Sequence, residues 1–250
     1  MASLPEIKAI GVMGGGVMGG GIAQVFALHG YKVLSRDLTD DLNQKTRDTI
    51  TSGRYGLDGG VEREKITREQ ADRALGNIKF VTRVDDLRDV DLIIEAVPED
   101  FDLKKKVWSE LERIVRKDAI FATNTSGFSI TKLADAVERR DRFLGMHWFS
   151  PAPIMKMVEV IHGPETSQDA VDAIYALCEA CEKVPIRVKD QPNSYGFVGN
   201  RIYFAAVAEA RKVMDEGVAS VEDINKAMVY GFNWPVGPLA MVEGARKGWG

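Results

Sequence analysis

The sequence predicts an α/β protein in which a doubly wound, mainly parallel sheet is followed by a small all-helical domain. Three observations predict this architecture. Short β-branched runs alternate with amphipathic helical patterns along most of the chain, which is typical of a parallel sheet covered by helices on both faces. A glycine-rich turn connects the first of these runs to the first helical pattern, and strand patterns stop near Asp190.

The predicted strands and helices follow one another in order. Strands are expected at residues 7–12, 32–34, 78–81, 92–97, 119–123, 143–147, 157–161 and 186–188. Helical periodicity predicts helices at residues 21–28, 103–115, 130–137, 170–182, 202–213 and 221–228. These patterns divide the chain into a sheet domain at residues 1–192 and a helical domain at residues 193–250.

A long polar segment separates the second and third predicted strands. It covers residues 39–77 and carries several glycines between two helical patterns. A capping-box sequence begins at Thr67 and marks the start of the second of these helices. Because the segment is longer than a crossover requires, we expect a helical hairpin arm that projects from the sheet.

A glycine motif gives the first indication of a ligand. Gly14, Gly16 and Gly19 have the spacing G-x-G-x-x-G between the first predicted strand and helix. In such a turn the first glycine permits the sharp reversal, the second admits a diphosphate, and the third lets helix and strand pack closely. The phosphates would lie against N–H groups at the helix N-terminus, where Val17 and Met18 follow the turn.

An acidic residue strengthens this interpretation. Asp37 ends the second hydrophobic run, about twenty residues after the glycines. A carboxylate there can accept hydrogen bonds from the ribose hydroxyls of NAD and would repel the 2′-phosphate of NADP. The order of strand, glycines, helix, strand and acid predicts a Rossmann-like NAD site. The alternative is a structural turn beside a surface aspartate.

Composition excludes several classes of protein. At 250 residues, with 45% hydrophobic and 28% charged residues, the chain has the composition of an ordinary soluble globular protein. A net charge of −4 without a basic block gives no reason to expect a nucleic-acid partner. We also expect no membrane association and a cytoplasmic location, because no apolar run of transmembrane length or signal-peptide type occurs.

The two cysteines, Cys178 and Cys181, admit three interpretations. A redox dithiol and a zinc half-site are possible from the spacing alone. Both thiols, however, share one helical face with Val171, Ile174 and Tyr175, which indicates core packing. No second Cys/His pair completes a metal site, so we predict buried thiols and no metal.

One histidine stands out as a candidate catalytic base. His29 precedes Gly30 at a helix end and His162 precedes Gly163, whereas His147 ends a predicted strand. Carboxyl ends of parallel strands face the ligand crevice. Glu159 lies in the next predicted strand among apolar neighbours, where an acid requires a partner. A His–Glu pair suits general base catalysis, although spacing alone leaves a purely structural pair equally open.

A set of motifs closely resembles the L-3-hydroxyacyl-CoA dehydrogenase family. In order along the chain they are Gly14-x-Gly16-x-x-Gly19, Glu95-Ala96-Val97-Pro98-Glu99, Asn124-Thr125-Ser126, Gly145-Met146-His147-Trp148-Phe149-Ser150-Pro151, Met157-Val158-Glu159, Lys189-Asp190-Gln191-Pro192, Asn200-Arg201 and Gly237-Pro238. The resemblance implies oxidation of the 3-hydroxyl of a fatty acyl-CoA with NAD, as in β-oxidation. It also implies a Rossmann-like domain with a helical arm, and a helical C-terminal domain that dimerises.

The resemblance assigns roles to individual residues. His147 matches the family's base, Glu159 its orienting carboxylate, and Ser126 the serine that holds the substrate oxygen. Asn200 matches the asparagine that hydrogen-bonds the histidine or the substrate. The positions implied to contact the cofactor are Gly14, Gly16, Val17, Met18, Gly19, Asp37, Glu99, Lys104, Ser126 and Ser150.

The sequence departs from the family pattern at three places. Ser150 stands where the family usually has asparagine, and the segment between Pro192 and Asn200 is longer than usual. The arm has no clean match to the serine and lysine that contact CoA. We therefore expect a basic residue of the arm to meet the CoA phosphates, with candidates Arg54, Arg63 and Lys65.

Two other functions remain open. One is a related dehydrogenase of a polar hydroxy or sugar acid, as in the λ-crystallin-like branch, and the other is a non-catalytic NAD-binding protein. Because family members continue past the Gly237-Pro238 motif, we expect the helical domain to be truncated. We also expect it to associate into a homodimer through residues 202–213.

Overall fold

A single sheet of eight strands forms the frame of the first part of the chain. The structure is a computed structural model that describes residues 6–246. The strands are β1 (Ala9–Met13), β2 (Lys32–Arg36), β3 (Ile78–Val81), β4 (Leu92–Glu95), β5 (Ile120–Thr123), β6 (Phe143–Trp148), β7 (Met157–His162) and β8 (Val184–Lys189). Every predicted strand is present, and no end differs by more than two residues.

The strand order creates a crevice at one edge of this sheet. Across the sheet the order is β3-β2-β1-β4-β5-β6-β7-β8, and every neighbouring pair is parallel except β6 with β7. The chain runs outward from β1 to β3 and then returns to β4 on the other side of β1. Ligands of open α/β sheets bind at the carboxyl ends of strands at such a reversal. The predicted doubly wound sheet is confirmed.

Helices cover both faces of the sheet. They are α1 (Val17–Leu28), α2 (Asp40–Ser52), α3 (Leu57–Glu62), α4 (Arg68–Gly76), α5 (Phe101–Ile114), α6 (Ile130–Ala134) and α7 (Gln168–Ala180). Helix α1 is buried from Gly19 to Ala27, because its small residues let neighbouring elements approach closely. Near its C-terminal end, Phe26 contacts the ring of Trp148 edge-on at 5.5 Å between centroids.

The predicted helical arm is present between β2 and β3 and contains one helix more than expected. Residues 39–77 form three helices, and the glycine-bearing middle is itself the short helix α3. Helices α2 and α4 both pack on α1, and Ile50, Leu57 and Ala71 belong to the main hydrophobic core. These apolar side chains fold the arm against α1. The capping box at Thr67 is confirmed, with Thr67 and Gln70 exchanging both bonds.

The predicted core position of both thiols is confirmed. Cys178 and Cys181 are unbonded to each other and lie in the main hydrophobic core, between α7 and the sheet. Burial raises the pKa of Cys181 to about 12 and also raises the pKa of Cys178. Neither thiol therefore forms a thiolate readily near neutral pH.

The second unit begins at Gly196 and is helical. Its helices are α8 (Val198–Asp215), α9 (Val221–Phe232) and α10 (Pro238–Arg246). The Asn225 side chain on α9 accepts hydrogen bonds from the N–H groups of Leu239 and Ala240, which caps the start of α10. The predicted domain boundary, between residues 192 and 193, lies slightly before this division. Among residues 6–246, no helix is long and apolar enough to cross a membrane.

Candidate active site

The carboxyl ends of four neighbouring strands bring several candidate residues of the first unit to one edge of the sheet. Strand β1 ends at Met13, before the glycines, and β4, β5 and β6 end at Glu95, Thr123 and Trp148. The register pairs Met13 with Glu95 and Glu95 with Thr123. Side chains and loops that follow these residues are therefore neighbours in space.

The glycine turn, residues 14–16, depends on glycine residues because a side chain would not fit at some of these positions. Gly14 has a φ of +95°, and a Cβ there would lie 2.9 Å from the carbonyl oxygen of Ala96. A Cβ at Gly19 would collide with the carbonyl oxygen of Gly14. At Gly16, a Cβ would meet no atom of the described residues within 4 Å. The space beside Gly16 is therefore open.

The open turn fits the diphosphate of a dinucleotide. Helix α1 begins directly after Gly16, and within the described part of the chain no side chain caps it. Its first N–H groups and its macrodipole favour an anion at this end. The side chain of Val17 is 75% exposed beside the turn. Backbone donors next to open space are the features that a diphosphate requires.

Asp37 lies at the end of β2 and is fixed against the glycine turn. Its Oδ2 accepts a hydrogen bond from Gly15 N at 2.9 Å, and its Oδ1 accepts one from Leu38 N at 2.7 Å. The neighbouring Arg36 donates to the carbonyl oxygen of Thr82 at 3.0 Å. The carboxylate is thus held beside the helix N-terminus, where a ribose would accompany the diphosphate.

His147 and Glu159 form a buried pair, which we call the dyad. They are directly opposite residues on the antiparallel strands β6 and β7. His147 Nδ1 lies 2.7 Å from Glu159 Oε2, and the two residues are 4% and 0% exposed. The structure therefore brings together the two residues that the sequence predicted as partners.

The carboxylate decides the tautomer of His147. An ionised carboxylate only accepts hydrogen bonds, so Nδ1 carries the proton and the neutral imidazole has its lone pair on Nε2. When Nε2 takes a proton, the adjacent carboxylate stabilises the resulting imidazolium in a region of low dielectric. The dyad is equipped to act as a general base.

Glu99 anchors the loop that carries Ser126. Its Oε1 accepts hydrogen bonds from Thr125 Oγ1 at 2.6 Å and from Ser126 N at 2.9 Å. In the same loop, Asn124 Oδ1 accepts a hydrogen bond from Trp148 N at 2.9 Å, next to His147 in sequence. These contacts fix the loop after β5 relative to the strand that carries the base. Asn124 and Thr125 belong to the Asn124-Thr125-Ser126 motif, and these contacts give both residues a role in anchoring the loop.

A buried ion pair supports the same loops and was missed by sequence reasoning. Lys104 Nζ lies 2.6 Å from Glu95 Oε1, and Thr123 Oγ1 donates to Oε2 at 2.7 Å. Burial raises the pKa of Glu95, and the three donors, including Val97 N, oppose that effect. The signal was available, because Glu95, like Glu159, is an acid next to apolar residues of a strand.

Four predicted residues lie elsewhere or are differently placed. Lys104 is 1% exposed and binds protein groups, so its contact with the cofactor stays a prediction. Ser150 is exposed in the loop after β6, and Arg54 is exposed in the turn between α2 and α3. Asn200 belongs to α8 in the second unit. The structure brings the glycine turn, Asp37, Glu99, Ser126 and the dyad to one edge of the sheet.

Comparison with known proteins matches nearly all of the chain to the family that its sequence motifs resemble. A model of the NAD binding domain of 3-hydroxyacyl-CoA dehydrogenase matches residues 9–191, and a model of its C-terminal domain matches residues 196–248. The 3-hydroxybutyryl-CoA dehydrogenase of Clostridioides difficile is 40% identical over 232 residues, which are 93% of this chain and 80% of that protein.

Two further relatives support the match. The mitochondrial hydroxyacyl-coenzyme A dehydrogenase of Rattus norvegicus is 37% identical over 240 residues, 95% of this chain and 76% of that one. The crystal structure of (S)-3-hydroxybutyryl-CoA dehydrogenase PaaH1 from Ralstonia eutropha superposes with a TM-score of 0.90 and 44% identity, covering 94% of this chain and 81% of that one. These matches show that this chain, with its glycine turn and its doubly wound sheet, belongs to the 3-hydroxyacyl-CoA dehydrogenase family.

Proposed function

We propose that this protein oxidises the 3-hydroxyl of an L-3-hydroxyacyl-CoA to the ketone, with NAD as the oxidant. The observation that carries the proposal is the buried dyad at the carboxyl edge of the sheet, beside the anchored loop of Ser126. A protein that only binds NAD needs neither a buried base nor its carboxylate. Relatives named for 3-hydroxybutyryl-CoA and hydroxyacyl-CoA support the substrate class.

The cofactor would be held along the edge of the first unit. The diphosphate fits the open space at Gly16 and the N–H groups of Val17 and Met18, and Asp37 would accept the ribose hydroxyls. Glu99, Ser126 and Ser150 are the proposed contacts nearer the reacting end. Bound NAD supplies the acceptor for the hydride that leaves C3 of the substrate.

The protein's own residues handle the proton. His147 Nε2 takes the hydroxyl proton of the substrate, and Glu159 stabilises the imidazolium through Nδ1. The Ser126 side chain would hold the substrate oxygen, and the family resemblance assigns Asn200 a further hydrogen bond to the histidine or the substrate. Because Glu99 fixes the Ser126 backbone, the oxygen would meet a positioned donor instead of a mobile one.

The helical unit is proposed to mediate a homodimer. Large apolar side chains are exposed on its first two helices, among them Ile202 at 63%, Phe204 at 53% and Phe232 at 73%. Such exposure is typical of an interaction surface. Light scattering at low micromolar concentration tests this, and a monomer with full activity would contradict it.

The test of the activity is NADH consumption with a series of 3-ketoacyl-CoA esters of increasing chain length. We expect turnover with the thioesters, and we expect neither NADH consumption with free 3-keto acids nor NAD reduction with hydroxy or sugar acids. Turnover of the free acids alone would favour the polar-acid alternative. Binding of NADH without turnover of any substrate would favour the non-catalytic alternative.

A further inference from the structure

The two dyad residues are joined by a short loop, residues 149–156, which we call the dyad loop. It connects β6 to β7 and carries Ser150, a proposed cofactor contact. The loop also lies against the cofactor-binding helix. A Cβ at Gly21 of α1 would be 3.1 Å from Pro153 Cδ and 3.2 Å from Ala152 Cβ. The position of this loop therefore affects both the base strands and the proposed cofactor site.

The dyad loop is held by few of its own hydrogen bonds. The N–H groups of Ile154 and Met155 both donate to the carbonyl oxygen of Pro151, at 3.0 and 2.9 Å. The carbonyl oxygens of Ala152 and Met155 receive their donors from outside the loop. Lys183 Nζ donates to the first at 2.8 Å and to the second at 2.9 Å.

Lys183 is itself fixed and buried. It is 8% exposed, and its backbone N–H donates to the carbonyl oxygen of Cys178 at 3.0 Å, after the end of α7. Its ammonium lies 5.5 Å from the ring centroid of Trp148, the residue that precedes the loop. Burial lowers the pKa of Lys183, because the charged form is disfavoured away from water.

A buried ammonium at this place has a cost that an apolar residue would avoid. Replacing a buried charge by a hydrophobic side chain of similar volume is often neutral or stabilising. A hydrophobic side chain would therefore fill this position better than the lysine does. What it provides is a donor for two carbonyl oxygens of one loop and a cation over the indole next to His147.

We propose that Lys183 is a positioning residue that holds the dyad loop in the conformation needed to bind the cofactor. The consequence for the cofactor rests on the proposed function, because that function places Ser150 at the cofactor. The dyad itself is fixed by the register of β6 and β7. Loss of the ammonium should therefore affect cofactor affinity more than proton transfer.

The test compares Lys183→Met with the matched control Lys156→Met. Lys156 is an exposed lysine of the same loop. In the cofactor-free protein, we expect amide hydrogen exchange of residues 149–156 to be about tenfold faster in the Lys183 variant, because the carbonyl oxygens of Ala152 and Met155 lose their donor. We expect the NADH dissociation constant to rise about tenfold and kcat at saturating NADH to fall less than about threefold. The control should match the wild type in all three.

Several outcomes would overturn the proposal. Unchanged loop exchange or unchanged NADH affinity in Lys183→Met contradicts it, and so does a loss of kcat that exceeds the loss of affinity. An equal effect of Lys156→Met contradicts it as well, because the effect would then be one of net charge.

A second variant covers the case in which Lys183→Met does not fold. Gly21→Ala presses on the dyad loop from the side of α1 and should also weaken NADH binding more than turnover. An unchanged NADH affinity in that variant would refute the role of the loop. If the wild type turns over no 3-ketoacyl-CoA while loop exchange and NADH affinity respond as expected, the proposed function fails and the role of Lys183 stands.

Discussion

The glycine turn and the dyad lie at the same edge of the sheet, but they are built in opposite ways. The turn consists of backbone, and its essential feature is the open space at Gly16. The dyad consists of two fully enclosed side chains on separate strands, joined by one hydrogen bond of 2.7 Å. Under the proposed function, cofactor binding would therefore depend mainly on free volume, whereas proton transfer would depend on charge and register.

This difference predicts that binding and turnover can be damaged separately. A change that fills the turn should lower cofactor affinity with little effect on the dyad. A change of charge in the dyad should lower turnover with little effect on cofactor affinity. Four substitutions test the separation, in order of decreasing expected effect.

His147→Ala should cause the largest loss. Removing the base should lower kcat by roughly 10²–10⁴-fold, the usual contribution of a positioned acid–base group. The NADH dissociation constant, measured by fluorescence titration, should stay near that of the wild type. His162→Ala, on the adjacent strand β7, is the matched control and should keep normal turnover. Near-normal kcat in the His147 variant would remove the assigned base.

Glu159→Gln should also lower kcat, but by less than His147→Ala. The neutral amide keeps the shape of the buried side chain but no longer stabilises the imidazolium. A hydrogen bond to a charged group is worth about 1.5–3 kcal/mol, so kcat should fall about 10–100-fold. The thermal midpoint should be nearly unchanged. A stable variant with normal kcat would show that the carboxylate is only structural.

Gly16→Ala should affect binding alone. The added methyl group meets no atom of the described residues within 4 Å, and the backbone φ of −59° suits alanine. Stability should be unchanged, while the NADH dissociation constant should rise about tenfold because the methyl group takes the space of the diphosphate. Gly14→Ala is the contrasting variant, because its φ of +95° and its contact with Ala96 should lower stability. Unchanged NADH affinity in the Gly16 variant would place the diphosphate elsewhere.

Asp37→Ala should give the smallest effect, a change of cofactor preference. Losing the carboxylate removes acceptors for the ribose and the repulsion of a 2′-phosphate. We expect the ratio of kcat/KM for NADH over NADPH to fall several-fold, mainly through KM. Comparable efficiency with NADPH in the wild type would contradict the NAD preference. The guanidinium of the neighbouring Arg36 donates to the carbonyl oxygen of Thr82.

Local patterns predicted the fold well because their causes are local. The glycine spacing, the capping box at Thr67 and the alternation of strands and helices all depend on residues a few positions apart. The middle of the arm was the exception. Its glycines indicated a break between two helices, whereas the structure has the short helix α3 there. Burial of Leu57 in the main hydrophobic core overrode the local preference of the glycines.

The sequence by itself determined the doubly wound sheet, the glycine turn, the acid at Asp37 and the core position of the thiols, because each is a pattern within one element or between two successive ones. The sequence also indicated His147 and Glu159 as partners, and the register of β6 with β7 places them within hydrogen-bond distance. Only the tertiary structure decided the contacts of the other buried charges. The approach of α5 to β4 buries Lys104 against Glu95, and the ammonium of Lys183 reaches the dyad loop from the residue before β8. A buried charged side chain requires a hydrogen-bonding or ionic partner, and the packing of the folded chain decides which group becomes that partner.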